Sequence, residues 1–167
     1  MSTISQIPQI AQLLKRSNYV DVKTIEGQTS LRQFIASMLS YYPGWVVFLY
    51  RIRTILVKLL GLVEHPAPEA LPKLDPQDVS FVVGEAVTFF TIRLAEEKHY
   101  WVGETPEDKH LSAYFGVVVE PMEDHRKRFH VVTGVYYKHW TGPVYFNLIR
   151  PFHHLVVSRM ARYGLTQ

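Results

Sequence analysis

Polar and apolar residues alternate over residues 19–25 (YVDVKTI), which predicts a first strand. Turn-forming residues follow in EGQTS, and Thr29 or Ser30 is placed to cap a helix running to about Ser40. Pro43 and Gly44 end that helix. The apolar run over residues 44–63 (GWVVFLYRIRTILVKLLGLV) then has helical spacing. Trp45, Phe48, Ile52, Ile55, Leu56 and Leu59 fall on a wide apolar side, and Arg51, Thr54 and Lys58 form a narrow polar stripe. This predicts a helix whose wide side faces the core. The run is long enough to raise the question of a membrane span. Arg51, Arg53 and Lys58 argue against one, because each costs roughly 2.5–3.5 kcal/mol near a bilayer centre.

Residues 64–78 (EHPAPEALPKLDPQD) carry four prolines and read as a proline-rich loop. Beyond them the period changes to two. AVTFFTIRL, KHYWVGE, KHLSAYFGVVVE and RFHVVTGVYYK read as strands separated by AEE, TPED and PMEDHRK. Connections this short require antiparallel neighbours, hence a meander. The chain closes with a helix that Gly142 and Pro143 start and Gly164 stops. Pro151 lies inside it, withholds an N–H from the Asn147 carbonyl and should bend it. Strand, two helices, meander and long helix define an α+β fold, with a curved antiparallel sheet gripping the C-terminal helix. The expectation is a single domain over residues 1–167, with residues 1–17 as an N-terminal extension.

Pairing fixes which residues face the helix. If TPED closes a hairpin with Glu104 opposite Lys109, then Val102 faces Leu111 and Tyr100 faces Ala113. The inner wall would then hold Tyr100, Val102, Leu111, Ala113, Phe115 and Val117. Thr88, Phe90 and Ile92 would join from one side, and Phe129, Val131, Thr133, Val135 and Tyr137 from the other. Such a wall is either a ligand pocket or an ordinary core. On the final helix, Tyr145, Ile149, Phe152, Val156 and Met160 share one face, with Asn147, Arg150, His154 and Ser158 opposite. His153 lies at the edge of the apolar face and His154 points away. Neighbouring helical residues diverge by about 100°, so the two histidines cannot share a metal.

His153 is either a hydrogen-bonded anchor or a ligand-orienting, proton-transferring group. His110 poses the same choice beside Glu104, Glu107 and Asp108, where the carboxylates could equally cap the turn. His99, His125, His130 and His139 lack ligand spacing, so no metal site is expected. No cofactor is expected either, since phosphate loops, nucleophile elbows and metalloprotease helices are missing from the sequence.

The chain contains no cysteine, which removes disulfides and thiolate chemistry and fits a reducing compartment. Its start lacks a basic segment followed by an apolar run, so a cytoplasmic location is the default expectation. Charge is uneven: residues 1–63 carry +5, residues 64–124 carry −9 and residues 125–167 carry +7. Basic helices over an acidic sheet would account for this. Peripheral membrane contact is a less favoured reading, and HRKRFH is too short a basic cluster to imply nucleic acid. Nothing in the sequence sets the oligomeric state.

Three blocks carry a family resemblance: Pro43 and Trp45, followed by Arg53, Gly61 and Leu62; Asp108, His110 and Leu111; and Gly142, Tyr145, Phe146, Pro151, Phe152 and His153. With these the chain resembles, from about Val20 to Tyr163, a bacterial domain-of-unknown-function family numbered 2867. It departs at Ser112, Ala113 and Tyr114, where the family commonly has an acidic, an aromatic and a basic residue. If that acidic–basic pair binds something in relatives, this chain lacks it. The resemblance implies a START-like helix-grip (SRPBCC-type) fold, as in lipid carriers, polyketide cyclases and aromatic-ligand binders. It implies no activity.

The expected function is binding of a hydrophobic or aromatic small molecule between the sheet and the C-terminal helix. Trp45, Phe48, Tyr100, Thr133, Tyr137, Tyr145, Ile149, Phe152 and His153 are the pocket candidates. The alternative is an enzyme of cyclase or hydrolase type on the same scaffold, with His153 or His110 as acid–base.

Overall fold

The computed structural model describes residues 3–59, 61, 73–106 and 110–166. The expectations for Leu62, Glu107, Asp108, Lys109 and the first part of the proline-rich loop lie outside the described residues.

The described strands are β1 (Tyr19–Gly27), β2 (Ala86–Val87), β3 (Phe90–Glu96), β4 (Tyr100–Glu104), β5 (Leu111–Pro121) and β6 (Lys127–Tyr137). They form one antiparallel sheet in the order β1-β6-β5-β4-β3-β2. β2 to β6 make a meander, and β1 pairs with β6 at the far edge. The helices are α1 (Pro8–Arg16) before β1, α2 (Leu31–Leu39) and α3 (Gly44–Leu59) between β1 and β2, and α4 (Thr141–Tyr163) at the end. The architecture is α+β, a curved sheet holding a long C-terminal helix.

Local chemistry explains the helix starts. The Ser30 hydroxyl accepts from the Gln33 N–H at 3.1 Å and caps α2. α2 is almost wholly buried, and its Phe34 stacks on Phe129 of β6 at 4.3 Å. Leu31, Phe34, Ile35 and Met38 pack with Val157 and Ala161 of α4 over Ile92, Trp101, Phe115, Val117, Phe129 and Val131. The sheet beneath the C-terminal half of α4 is therefore filled by α2. α4 runs unbroken through Pro151, which is exposed along with Asn147, so water can satisfy the carbonyl that the proline leaves unpaired.

Three expectations need correction. First, β4 is reversed in facing. Glu104 pairs with Tyr114, Val102 with Gly116 and Tyr100 with Val118. The connection is longer than TPED alone, because the Thr105 N–H bonds the Ala113 carbonyl at 2.9 Å. The slip against the expected pairing is an odd number of residues, which exchanges the two faces of β4. Trp101 is thus fully buried inside, its indole N–H on the Ser80 carbonyl at 3.1 Å, while Tyr100 and Val102 face outward. Thr88 leaves the inner wall too, since it sits exposed at the turn between β2 and β3 with φ 55°.

Second, α1 packs on the sheet. Ile10, Leu13 and Leu14 cover Val102, Val118 and Val132 on the outer face of the sheet. Third, α3 does not bury its widest apolar side. Val46 and Val57 are its buried residues, whereas Phe48, Ile55 and Leu59 are exposed. A helix apolar on nearly all sides gives periodicity no means of choosing a face. A polar contact made by Arg53 chooses instead.

Candidate functional site

The inner row of β6 runs Phe129, Val131, Thr133, Val135, Tyr137. Its first two residues belong to the apolar core, and Thr133 marks the change. Opposite it on β1 stands Asp21, with Tyr19 opposite Val135 and Lys23 opposite Val131. β1 is inverted relative to simple patterning: Val20 and Val22 are exposed on the outer side, and Tyr19, Asp21 and Lys23 face inward. Polar groups on the buried face of an edge strand require partners or a reason.

α4 supplies the cover. Phe146 lies against Tyr19 at 4.8 Å, Tyr137 at 6.2 Å and His153 at 6.0 Å between ring centres. His154 does not point away, as its place in the helix first implies; it turns onto β1. The Lys23 ammonium can only donate, so His154 Nδ1, 3.1 Å away, is an acceptor. The proton of the neutral ring is then on Nε2, donated to the Tyr19 hydroxyl at 2.7 Å. Lys23 also donates to Asp21 Oδ1 at 3.2 Å. His154 Nδ1 and Asp21 Oδ2 lie 3.5 Å apart, but both are acceptors in this arrangement and are bridged by Lys23.

Among the described residues, three buried polar atoms here have no hydrogen-bond partner: Asp21 Oδ2, Thr133 Oγ1 and His153 Nε2. Asp21 and Thr133 are direct cross-strand partners, and the charges of Asp21 and Lys23 both act on His153. Burial, then the neighbouring His154, lowers the His153 pKa to about 4, against an opposing pull from Asp21. His153 is therefore neutral at pH 7. Burial raises the Tyr19 phenol, and the Asp21 charge adds to this, so Tyr19 keeps its proton.

The other sequence candidates divide. Tyr137 borders the cluster through Phe146. Tyr145 is buried on the α3 side, its hydroxyl accepting from Arg53 Nε at 2.5 Å, and Ile149 is half-buried. Trp45 lies at the α2–α3 junction, 6.3 Å from the Tyr41 ring. Phe48 and Phe152 are 61% and 42% exposed, so neither lines an interior. Tyr100 is excluded by the facing of β4. His110 holds the start of α4: its Nδ1 lies 2.7 Å from Thr141 Oγ1, and its carbonyl accepts from the Lys138 N–H at 2.9 Å. A Cβ on Gly142 would approach that carbonyl to 2.6 Å, so glycine lets the helix start against it.

Sequence reasoning missed Tyr19, Asp21, Lys23, Arg53, Phe146 and His154. For three of them a signal existed: YVDVKTI places Tyr19, Asp21 and Lys23 on the same side as Ile25. Among the described residues, no group of three or more His, Cys, Asp or Glu is arranged to hold a metal ion.

The profile of the family described as "Protein of unknown function (DUF2867)" matches residues 13–160. No curated protein matches the chain. Solved structures similar in outline include that of Ara h 8.0201, at 9% identity and TM-score 0.42, covering 89% of this chain and 99% of that one. Norcoclaurine synthase from Thalictrum flavum is similar at 15% identity and TM-score 0.43, covering 93% and 92%. A structure of that enzyme in complex with dopamine and hydroxybenzaldehyde gives 16% identity, TM-score 0.44 and 92% and 90% coverage.

Proposed function

The chain belongs to the DUF2867 family, and for this member we propose the binding of a small hydrophobic or aromatic molecule beneath the N-terminal and middle turns of α4. The molecule carries a hydroxyl or amino group. One observation carries the reading: Asp21 Oδ2, Thr133 Oγ1 and His153 Nε2 are buried without partners in one region. An unmet buried polar atom costs on the order of 1–3 kcal/mol, and a ligand group that bonds it recovers that loss. The carboxylate accepts only, and the neutral imidazole and the hydroxyl each donate or accept. Phe146, Tyr137 and Val135 offer apolar contact around them.

The test is native mass spectrometry of freshly purified protein, followed by titration with phenol, indole and octanol. Retained mass or probe binding that Thr133→Val and His153→Leu weaken supports the reading. Probe binding indifferent to both substitutions contradicts it.

A second reading is catalytic. A neutral His153 beside a carboxylate with a free lone pair has the form of a general base. It separates from simple binding by a product that appears with the wild type and not with His153→Leu, at equal ligand occupancy.

A further inference from the structure

We infer that the solvent-facing side of α4 is a docking surface for anionic lipid membranes. Trp140, Val144, Leu148, Phe152 and Leu155 are 73%, 52%, 46%, 42% and 47% exposed. Their spacing of three and four residues puts them on one side of the helix and its first turn, a stripe about 22 Å long. Phe48, Ile55 and Leu59 of α3 are exposed as well, on the side of that helix turned away from Arg53. The two helices are held together by the Arg53–Tyr145 hydrogen bond. Isolated exposed apolar side chains are ordinary, but a run of five along one side of a helix marks an interaction surface.

Charge selects the occupant. Neither α3 nor α4 contains an Asp or Glu, while Arg159 and Arg162 of α4 are exposed on the side of the stripe. A second copy of this chain would bring the same cations to the contact with no anions to meet them, which opposes self-association through this face. Nucleic acid would satisfy the arginines and leave the apolar stripe without a counterpart. An anionic bilayer surface matches both, with headgroups for the arginines and the acyl boundary for Leu148, Phe152 and Leu155. Trp140, at the N-terminal end of the stripe, suits the headgroup level. Among the described residues no helix is long and apolar enough to cross a membrane, so the contact is peripheral.

The experiment is co-sedimentation of the full chain at low salt with phosphatidylcholine vesicles, with and without a third of phosphatidylserine. The account predicts partition onto the anionic vesicles only. Leu148→Asp/Leu155→Asp, Arg159→Glu/Arg162→Glu and added salt should each weaken it by about tenfold or more. Both pairs are partly or fully solvent-facing, so circular dichroism and the unfolding midpoint should stay near wild type and confirm the variants as folded. Thr133→Val should leave partition intact, which separates this surface from the interior site. Equal partition onto neutral vesicles, none onto anionic ones, or no effect of the leucine pair overturns the proposal. So does a dimer or an RNA complex that the same substitutions remove while vesicles remain unbound.

Discussion

Asp21 and Thr133 face one another across the β1–β6 pair on the buried side of the sheet, and each keeps an oxygen without a hydrogen-bond partner. His153 brings a third such atom from the helix above. A fold that needed these groups only for stability would have satisfied them, because unmet buried polar atoms are destabilising.

Replacing Thr133 with valine keeps shape and removes the unmet hydroxyl. The ligand-free protein should gain about 1 kcal/mol of stability, read as a higher denaturant midpoint at unchanged slope. A loss of similar size would show that the hydroxyl serves the fold.

His153 makes stability depend on pH. Its pKa falls from 6.5 to about 4 on folding, so the unfolded chain takes up the proton first. The contribution is whole above pH 6.5, declines as pH falls and levels off below about pH 4, a total of roughly 3 kcal/mol. Urea unfolding at pH 7, 6, 5 and 4 should lose this component of the slope in His153→Phe. An identical slope in that variant would contradict the burial of a neutral ring.

The Arg53–Tyr145 bond sets the facing of α3 against α4. A double-mutant cycle with Arg53→Ala and Tyr145→Phe should give a coupling of about 1.5–3 kcal/mol, as for a hydrogen bond to a charged group. Coupling near zero would mean that apolar packing alone orients α3.

Gly142→Ala should destabilise by about 2 kcal/mol, although alanine is the better helix former, because its Cβ would meet the His110 carbonyl. Gly44→Ala is the control: among the described residues, no atom beyond its chain neighbours and its own helix backbone lies within 4 Å of the added methyl, and the change should be neutral or stabilising. Equal effects at both positions would remove the close-approach argument.

The meander, the α2 cap and the extent of α4 were legible because turn residues, Ser30 and the Gly142–Gly164 bracket act locally. The facing of β4 was not. It depends on the length of one connection, and an odd slip moves Trp101 inside and Tyr100 outside. α3 was misjudged because its apolar residues surround it, and the deciding contact comes from Tyr145, 92 residues away. α1 was not read as a helix, although Ile7, Ile10, Leu13 and Leu14 are spaced for one, and its destination on the outer face depends on a sheet the spacing does not show. His153 was recognised from its place on α4. Thr133 was recognised too, as a pocket candidate, but Asp21 was not, because its place opposite Thr133 exists only once β1 pairs with β6.

The most direct measurement follows the imidazole 15N resonances of His153 during titration with phenol, indole and octanol, with exposed His99 as internal reference. At least one probe should move the His153 Nε2 resonance saturably while leaving His99 in place, and Thr133→Val should weaken that response about tenfold. A His153 signal indifferent to every probe, or a response unchanged in Thr133→Val, would contradict the site.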